Sequence, residues 1–288
     1  MIKEAIKVEE LTYNYGDLLA VDHISFQVKK GEILGFLGPN GAGKTTTVKM
    51  LTGQLKPKAG NAEVLGFSVG KNVREVQSRI GICFEDTNLY EGMTARENLR
   101  LFARLFSVDG FDPDGLLERV GLKGRGREKV QAYSKGMKQR LMVARAILHR
   151  PEILFLDEPT DGLDPTSAES IRGVILEERG RGATVFLTTH NMAEADKLSD
   201  RVAFLDQGRI VVLDTPYKLK QEYGSRTLKA EVYTDDGQLE HREITLDTPD
   251  TPEHVRQLFA DYRVATVHSE EATLEDIFIK ITGRGLSR

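Results

Sequence analysis

A glycine-rich segment that directly follows a short apolar run constrains this chain more than any other feature. Residues 33–37, Ile-Leu-Gly-Phe-Leu, form the uninterrupted apolar run expected of a strand that is buried on both faces. The next residues, Gly-Pro-Asn-Gly-Ala-Gly-Lys-Thr at positions 38–45, match the phosphate-loop pattern, and a helical segment runs on to about residue 53. Strand, loop and helix together predict an α/β domain that binds a nucleotide.

The loop residues have separate predicted roles. Its glycines allow backbone N–H groups to converge on phosphate oxygens at the N-terminus of the following helix. We expect Lys44 to reach the β- and γ-phosphates and the Thr45 hydroxyl to ligate Mg²⁺. The predicted phosphate-binding residues are Gly38, Pro39, Asn40, Gly41, Ala42, Gly43, Lys44, Thr45 and Thr46. The alternative, a purely structural glycine turn, does not require the strand and the helix that flank the loop.

Two adjacent carboxylates follow a second apolar run. Residues 153–157, Ile-Leu-Phe-Leu-Asp, are expected to deliver Asp157 to the carboxyl edge of the sheet, where ligands of open α/β sheets bind. Asp157 would complete the Mg²⁺ site there, directly or through water. Glu158 would orient or deprotonate the attacking water. The alternative is a solvated strand end, but the phosphate loop favours the catalytic interpretation.

Further apolar runs indicate the fold class. They lie at residues 80–84, 184–188 and 202–205, and helical segments separate them, which is typical of an α/β fold with a mostly parallel sheet. Residues 5–30 alternate between apolar and polar positions and predict an antiparallel β subdomain. The stretch of about residues 88–149 carries helical patterns and little strand signal, so we interpret it as a helical insertion.

A domain boundary is predicted at residue 216. Beyond it, residues 228–232 alternate like a strand, and Asp-Asp-Gly at 235–237 signals a turn. Two amphipathic helical segments follow. We therefore expect the nucleotide-binding domain over residues 1–216 and a small accessory α+β domain over residues 217–288.

Composition excludes several classes of protein. The 40 Lys and Arg residues against 44 Asp and Glu residues leave a formal charge of −4, so no general positive field attracts nucleic acid. The longest uncharged stretches reach about half of the roughly 20 residues that span a bilayer. The first residues lack the layout of a signal peptide, and the single cysteine, Cys83, cannot form an internal disulfide. We expect a protein of the reducing cytosol that binds no nucleic acid.

A third motif stands between the phosphate loop and the carboxylates. Residues 133–140, Tyr-Ser-Lys-Gly-Met-Lys-Gln-Arg, place Ser134 where it can cap a helix, and an exposed helix N-terminus can receive a phosphate. With these motifs in this order, the chain resembles the ATP-binding subunits of ATP-binding cassette (ABC) transporters over about residues 5–215. Of the family's usual Leu-Ser-Gly-Gly-Gln signature, only Ser134 and Gly136 are kept. The resemblance implies that this helix end contacts the γ-phosphate of ATP bound to a second copy.

The same resemblance implies three further site residues. Asp164, in Thr-Asp-Gly-Leu-Asp at 160–164, matches the D-loop aspartate at the interface between two cassettes. His190 matches the switch histidine that touches the γ-phosphate, although a lone histidine after a strand is usually a surface or capping residue. Tyr15 stands where the family stacks an aromatic ring on adenine, a contact worth roughly 1–3 kcal/mol. Tyr13 is the competing candidate.

One position departs from the family pattern. The glutamine that the family carries after the strand at 80–84 is replaced here by Glu85. That glutamine normally touches Mg²⁺ and lies beside the region that contacts the membrane partner. A carboxylate can ligate Mg²⁺ and adds negative charge near the triphosphate, so Glu85 is a third candidate metal ligand. The alternative is a loop shifted by one residue.

The resemblance also implies a mechanism and partners. It implies a homodimer with two ATP molecules between the subunits, docked on separate integral-membrane permease subunits at the cytoplasmic face of the membrane. The helical insertion and the Glu85 loop are the expected docking surface, with Phe102, Leu105 and Phe106 as anchors or as core residues. Residues 273–278, Thr-Leu-Glu-Asp-Ile-Phe, resemble the tails of drug-resistance ATPases and favour an exporter.

Several alternatives compete with this interpretation. A stand-alone P-loop phosphotransferase or GTPase would leave Ser134, Asp164 and His190 unexplained. The main alternative is a non-transport ABC-type ATPase. Chromosome-associated members need long heptad segments that this sequence lacks, and translation-associated members usually carry two cassettes and bind RNA. An inactive cassette that only binds nucleotide would not need Glu158.

Overall fold

The computed structural model describes residues 4–234, 236–246 and 248–285. Its strands form three sheets, and the chain divides into two compact units between Leu213 and Asp214. The strands up to this division are β1 (Glu4–Tyr15), β2 (Leu18–Lys29), β3 (Ile33–Leu37), β4 (Ala59–Val64), β5 (Phe67–Ser68), β6 (Ile80–Cys83), β7 (Ile153–Asp157), β8 (Thr184–Thr189), β9 (Arg201–Asp206) and β10 (Arg209–Asp214). The helices there are α1 (Lys44–Leu51), α2 (Val73–Gln77), α3 (Ala95–Leu105), α4 (Pro113–Arg119), α5 (Lys135–Ile147), α6 (Pro165–Gly180) and α7 (Met192–Leu198).

The larger sheet of the first unit confirms the predicted α/β class. Its strand order is β10-β9-β3-β8-β7-β6, and the pairs from β9 to β6 are parallel. Every residue of β3, β7 and β8 is buried, because both faces of these strands are covered. Because β3 and β7 run in the same direction, the phosphate loop after Leu37 and the carboxylates at Asp157 and Glu158 emerge at the same edge of the sheet.

An antiparallel sheet packs against the larger one, as the alternation in residues 5–30 predicts. Its strand order is β2-β1-β4-β5. In β2, the side chains of Ile24, Phe26 and Val28 are buried while their neighbours are exposed. The Phe26 ring lies 5.6 Å from the Phe36 ring of β3 and 5.9 Å from the Phe186 ring of β8, measured between centroids. These aromatic contacts join the two sheets in one hydrophobic core.

The stretch predicted as a helical insertion contains α3, α4, α5 and a short 3₁₀ helix at Val130–Ala132. Of the three candidate anchors in it, Phe102 is partly buried against the core, and the Phe106 ring stacks on His149 at 3.8 Å. The Leu105 side chain is 68% exposed. Core packing therefore occupies Phe102 and Phe106, and Leu105 is the one of these three that stays available to a partner.

The second unit contains α8 (Pro216–Tyr223), β11 (Arg226–Tyr233), β12 (Leu239–Thr245), α9 (Thr251–Asp261), β13 (Arg263–Glu271) and α10 (Leu274–Thr282). The strands form an antiparallel sheet in the order β12-β11-β13. The structure divides the chain after Leu213, shortly before the boundary predicted at residue 216. Thr215 caps α8. Of the predicted turn at 235–237, residue 235 lies outside the described residues. In the described part of the chain, no helix is both long and apolar enough to cross a bilayer.

Candidate active site

At two positions of the phosphate loop, a neighbouring backbone leaves no space for any side chain larger than that of glycine. A Cβ at Gly38 would lie 2.2 Å from the carbonyl oxygen of Leu205 in β9. A Cβ at Gly43 would lie 2.4 Å from the carbonyl oxygen of Ala20 in β2, and Gly43 also has a φ of +106°. Any larger residue would push the loop away from the strands that support it.

Helix α1 begins without a side-chain cap, unlike α5 and α6. Serine caps α5 and aspartate caps α6, whereas none of the described side chains caps α1. The first backbone N–H groups of a helix have no partner within the helix and carry partial positive charge. The start of α1 is therefore suited to an anion.

A cavity of about 330 Å³ opens at this helix end. Phosphate-loop residues between Pro39 and Thr46 form one wall, Tyr15 and Leu18 from the first hairpin form another, and Glu85 and Glu158 complete it. Four regions that are far apart in sequence thus meet at one site within the first unit.

Lys44 carries a buried positive charge at this cavity. Its side chain is 6% exposed, and its Nζ donates hydrogen bonds to the carbonyl oxygens of Gly38 at 2.7 Å and Pro39 at 3.2 Å. Nζ also lies 3.4 Å from Glu158 Oε1. The loop carbonyls and one carboxylate hold the ammonium at the mouth of the loop, where a phosphate group can compete for it.

Asp157 is fully buried at the end of β7. Its Oδ1 accepts a hydrogen bond from the Thr188 hydroxyl of β8, and its Oδ2 makes none with any described residue. Burial is the largest cause that raises the pKa of this carboxyl, while the Thr188 and Thr45 hydroxyls lower it. A buried carboxylate oxygen without a partner, next to a threonine hydroxyl, fits the oxygen ligands that Mg²⁺ prefers.

This geometry predicts that Asp157→Asn stabilises the nucleotide-free protein. Burial raises the pKa of Asp157, so the folded state binds the proton of this carboxyl more tightly than the unfolded state does. The carboxyl therefore destabilises the folded state once the pH rises above the pKa that it has in the unfolded chain. We expect the amide to add on the order of 1 kcal/mol at neutral pH. Urea unfolding of both proteins at pH 7 and pH 5 measures this difference in the free energy of unfolding. An equal or larger gain at pH 5 would contradict the electrostatic cause.

Glu158 follows Asp157 in a strained backbone conformation. Its φ is +49°, in the left-handed region that non-glycine residues rarely adopt, and its backbone N–H donates to the Thr188 carbonyl at 3.0 Å. Its side chain is almost buried. Glu158 Oε2 lies 3.0 Å from His190 Nδ1 and accepts a bond from the His190 backbone N–H at 3.3 Å. The turn therefore aims the carboxylate into the cavity, and His190 holds one of its oxygens.

Glu85 lines the same cavity but is exposed. Partial burial is the first cause that raises the pKa of its carboxyl, and the charges of Asp157 and Glu158 add to it. Three carboxylates thus share one negative region, which a divalent cation would neutralise. Thr45 and Glu85 line the cavity, and Asp157 interacts with both. Among the described residues, no three His, Cys, Asp or Glu side chains already lie close enough together to hold a metal ion.

The two candidate tyrosines differ in their surroundings. Tyr15 is 46% exposed and lines the cavity. Tyr13 is partly buried against the core, and the Lys58 ammonium lies over its ring. The Tyr13 ring meets the Tyr15 ring edge-on at 4.9 Å. Tyr15 therefore offers a free ring face to a base, and Tyr13 supports it from behind.

The remaining predicted residues do not line this cavity. Ser134 is exposed and caps α5 by accepting a bond from the Met137 backbone N–H at 3.2 Å. Asp164 caps α6 in the same way, and the Ser167 hydrogen bonds lower the pKa of its carboxyl. A Cβ on Gly136 would lie 3.1 Å from the Leu163 side chain. The starts of α5 and α6 thus lie beside each other, apart from the phosphate loop.

Comparison with known proteins identifies this arrangement. The family model described as ABC transporter matches residues 21–161, which include the phosphate loop, Ser134 and both carboxylates. The fluoroquinolones export ATP-binding protein of Mycobacterium tuberculosis is 44% identical over 99% of this chain and 95% of its own length. The chain belongs to the ABC transporter family. The bacitracin transport ATP-binding protein of Bacillus licheniformis is 36% identical over 97% of this chain and 98% of its own length.

Solved ABC structures agree with the fold. A dimeric ATP-binding cassette in a post-hydrolysis state, bound to ADP and phosphate, has a TM-score of 0.67 and 25% identity and covers 73% of this chain and 98% of its own. These findings confirm the predicted ATP-binding and ATP-hydrolysing subunit of an exporter-type ABC transporter. The alternative, a non-transport ABC-type ATPase, is not supported.

Two residues of this ABC site were missed in the sequence. Thr188 bonds Asp157, because β7 and β8 place the two residues directly opposite each other. Its only signal was its place where the apolar run of β8 ends in two threonines. Glu194 is buried behind His190 and bonds Thr160 of the D-loop. Its only signal was its spacing of four residues from His190, which is too common in helices to single it out.

Proposed function

We propose that two copies of this chain close on two ATP molecules and hydrolyse them to drive export by separate permease subunits. One observation carries the proposal. Lys44 and Glu158 line the cavity and His190 contacts Glu158, whereas Ser134, the remaining phosphate-contact residue of the family, is exposed and does not line it. This separation supports the proposal that a single copy carries two half-sites, each of which a second copy would complete.

The proposed half-site at the phosphate loop is suited to a metal-bound triphosphate. The N–H groups at the start of α1 and the Lys44 ammonium would hold the phosphates, and Tyr15 would stack on the base. Thr45 and Asp157 would hold Mg²⁺, with Glu85 beside them. Bound there, Mg²⁺ would neutralise the charge that develops on the β- and γ-phosphate oxygens.

Glu158 is the proposed general base. One of its oxygens is held by His190, and the other, Oε1, has no hydrogen bond within the described residues and lies near Lys44. A water molecule would donate its proton to this carboxylate while its oxygen bonds to the γ-phosphorus. The bond from that phosphorus to the β-phosphate oxygen breaks, and ADP and phosphate leave. His190 keeps the carboxylate in line for this step.

The proposed partners follow from the half-sites and from the relatives. Ser134 and the backbone of Gly136 would reach the γ-phosphate held by the other copy, with Asp164 at the interface. The relatives named above serve fluoroquinolone export and bacitracin transport. We expect permease subunits that expel an antibiotic-like organic compound, with this chain at the cytoplasmic face of the membrane.

Turnover at different protein concentrations tests the proposal. We expect the ATP hydrolysis rate per molecule to rise with protein concentration and then reach a plateau, because only the dimer is complete. Analytical ultracentrifugation with and without Mg-ATP locates the pairing range. Constant turnover per molecule far below that range would contradict the shared site.

A further inference from the structure

One buried carboxylate next to the active site has no role in the mechanism above. Glu194 in α7 is 2% exposed. Its Oε2 accepts a hydrogen bond from the Thr160 hydroxyl at 2.6 Å, whereas its Oε1 makes none with the described residues and lies 3.9 Å from Arg172 Nη1. Burial raises the pKa of this carboxyl. A buried carboxylate that is only half satisfied lowers stability, so packing alone does not explain it.

Glu194 closes a ring of contacts around the catalytic pair. Thr160 follows Glu158 by two residues, and Glu194 follows His190 by four. His190 lies 3.0 Å from Glu158 at one side of the ring, and Thr160 lies 2.6 Å from Glu194 at the other. Asn191 completes the second segment, because its Oδ1 accepts from the Glu194 backbone N–H at 3.0 Å. The segment from Glu158 to Thr160 and the segment from His190 to Glu194 are therefore joined by hydrogen bonds at both ends.

The strained backbone at Glu158 gives a role to a second hydrogen bond near this residue. Its left-handed backbone persists only where surrounding contacts impose it. The His190 contact fixes the tip of the Glu158 side chain, and backbone bonds from the Glu158 N–H to Thr188 and from the Asp161 N–H to Glu158 hold the turn itself. None of these contacts joins the chain that continues into the D-loop to α7. The Thr160–Glu194 bond fixes that chain two residues later.

We propose that Glu194 is a positioning residue for hydrolysis, which holds Glu158 and His190 in place through its bond to Thr160. The inference rests on the proposed function, because it assigns the positioning to a base at Glu158. Glu194 does not line the cavity and is not expected to contact ATP. Its loss should therefore change kcat and leave the KM for ATP unchanged.

Cutting the Thr160–Glu194 bond from either side tests the inference. Thr160→Val removes the hydroxyl at nearly constant shape, and Glu194→Ala removes the acceptor. We expect each to lower kcat by roughly 10- to 100-fold, since small displacements of a catalytic group cost that much. The double variant should be no worse than the single ones, because both remove the same bond. Thr160→Ser keeps the hydroxyl and should restore kcat.

Glu178→Gln is the matched control. Glu178 in α6 is as buried as Glu194, but it pairs with Arg119 of α4 and with Arg181 after α6, and it does not line the cavity. This control should lower the melting temperature and leave kcat intact. If Thr160→Val and Glu194→Ala behave like the control, Glu194 is structural and the inference is wrong.

Glu158→Gln in the same assay separates the two proposals. If it abolishes hydrolysis while Thr160→Val does not lower kcat, only the role of Glu194 fails. If it leaves hydrolysis intact, the proposed function fails, and the inference fails with it. Thr160 is only partly buried, so Thr160→Val should fold even if Glu194→Ala does not.

Discussion

Glu158→Gln is expected to slow ATP hydrolysis by about 10²–10⁴-fold, the range that a general base contributes. The amide has nearly the same shape, so it can still accept the hydrogen bonds from His190, and Lys44 keeps its bonds to the loop carbonyls. ATP binding should therefore persist. The variant should also accumulate as a Mg-ATP-bound dimer, because the step that separates the copies is blocked.

Single-turnover kinetics and size-exclusion chromatography with Mg-ATP measure the two effects of this substitution. Glu152→Gln is the matched control. Glu152 directly precedes β7, at the opposite end of the strand from Glu158, and forms an exposed ion pair with Arg79. We expect that control to hydrolyse ATP normally. A Glu158→Gln protein that turns over at the wild-type rate would remove Glu158 from the chemistry.

Ser134→Asp is expected to weaken closure of the dimer strongly while leaving each copy folded. Aspartate caps a helix about as well as serine, so the bond to the Met137 backbone N–H and the start of α5 should survive. The new negative charge would face the triphosphate held by the other copy. Like charges placed together across an interface cost several kcal/mol, so ATP-dependent pairing should weaken by roughly 100-fold or more.

The control for this substitution makes the same kind of change at another helix. Thr215 caps α8 by accepting a bond from the Lys218 backbone N–H, so Thr215→Asp adds a charge at a cap that is not one of the proposed site residues. It should pair and hydrolyse normally. Mixing Ser134→Asp with Glu158→Gln protein adds a second readout. The mixed dimer carries one repulsive contact instead of two, and its other site combines two intact halves, so hydrolysis should exceed that of either variant alone. No gain at a protein concentration where ultracentrifugation detects the mixed dimer would count against a site shared between copies.

The chemistry of the site was predictable wherever it depends on residues that are adjacent in the chain. The phosphate loop combines glycines, Lys44 and Thr45 in one continuous segment after a buried strand. Asp157 and Glu158 end another such strand, and Ser134 begins a helix. Strand direction alone then places the loop and the carboxylates at one edge, because parallel strands end together.

The sequence predicted a residue's role less well where distant parts of the chain form the surroundings of that residue. Tyr13 and Tyr15 are almost equivalent in sequence, and only the packing of Tyr13 against the core leaves Tyr15 as the ring at the cavity. The shared negative region at Glu85 arises because the loop after β6 meets β7 at the same edge. No local pattern carries such information.

The sequence by itself determined the α/β class, the phosphate loop and the two carboxylates that follow a buried strand, because these depend on local motifs and on strand periodicity. The order of its motifs also carried the resemblance to the family, which implied the remaining site residues. Only the tertiary structure decided which side chains hold those candidates in place. Thr188 and Glu194 lie 31 and 34 residues from the groups that they bond. Their roles depend on the pairing of β7 with β8 and on the burial of α7, which cooperative folding of the whole unit produces.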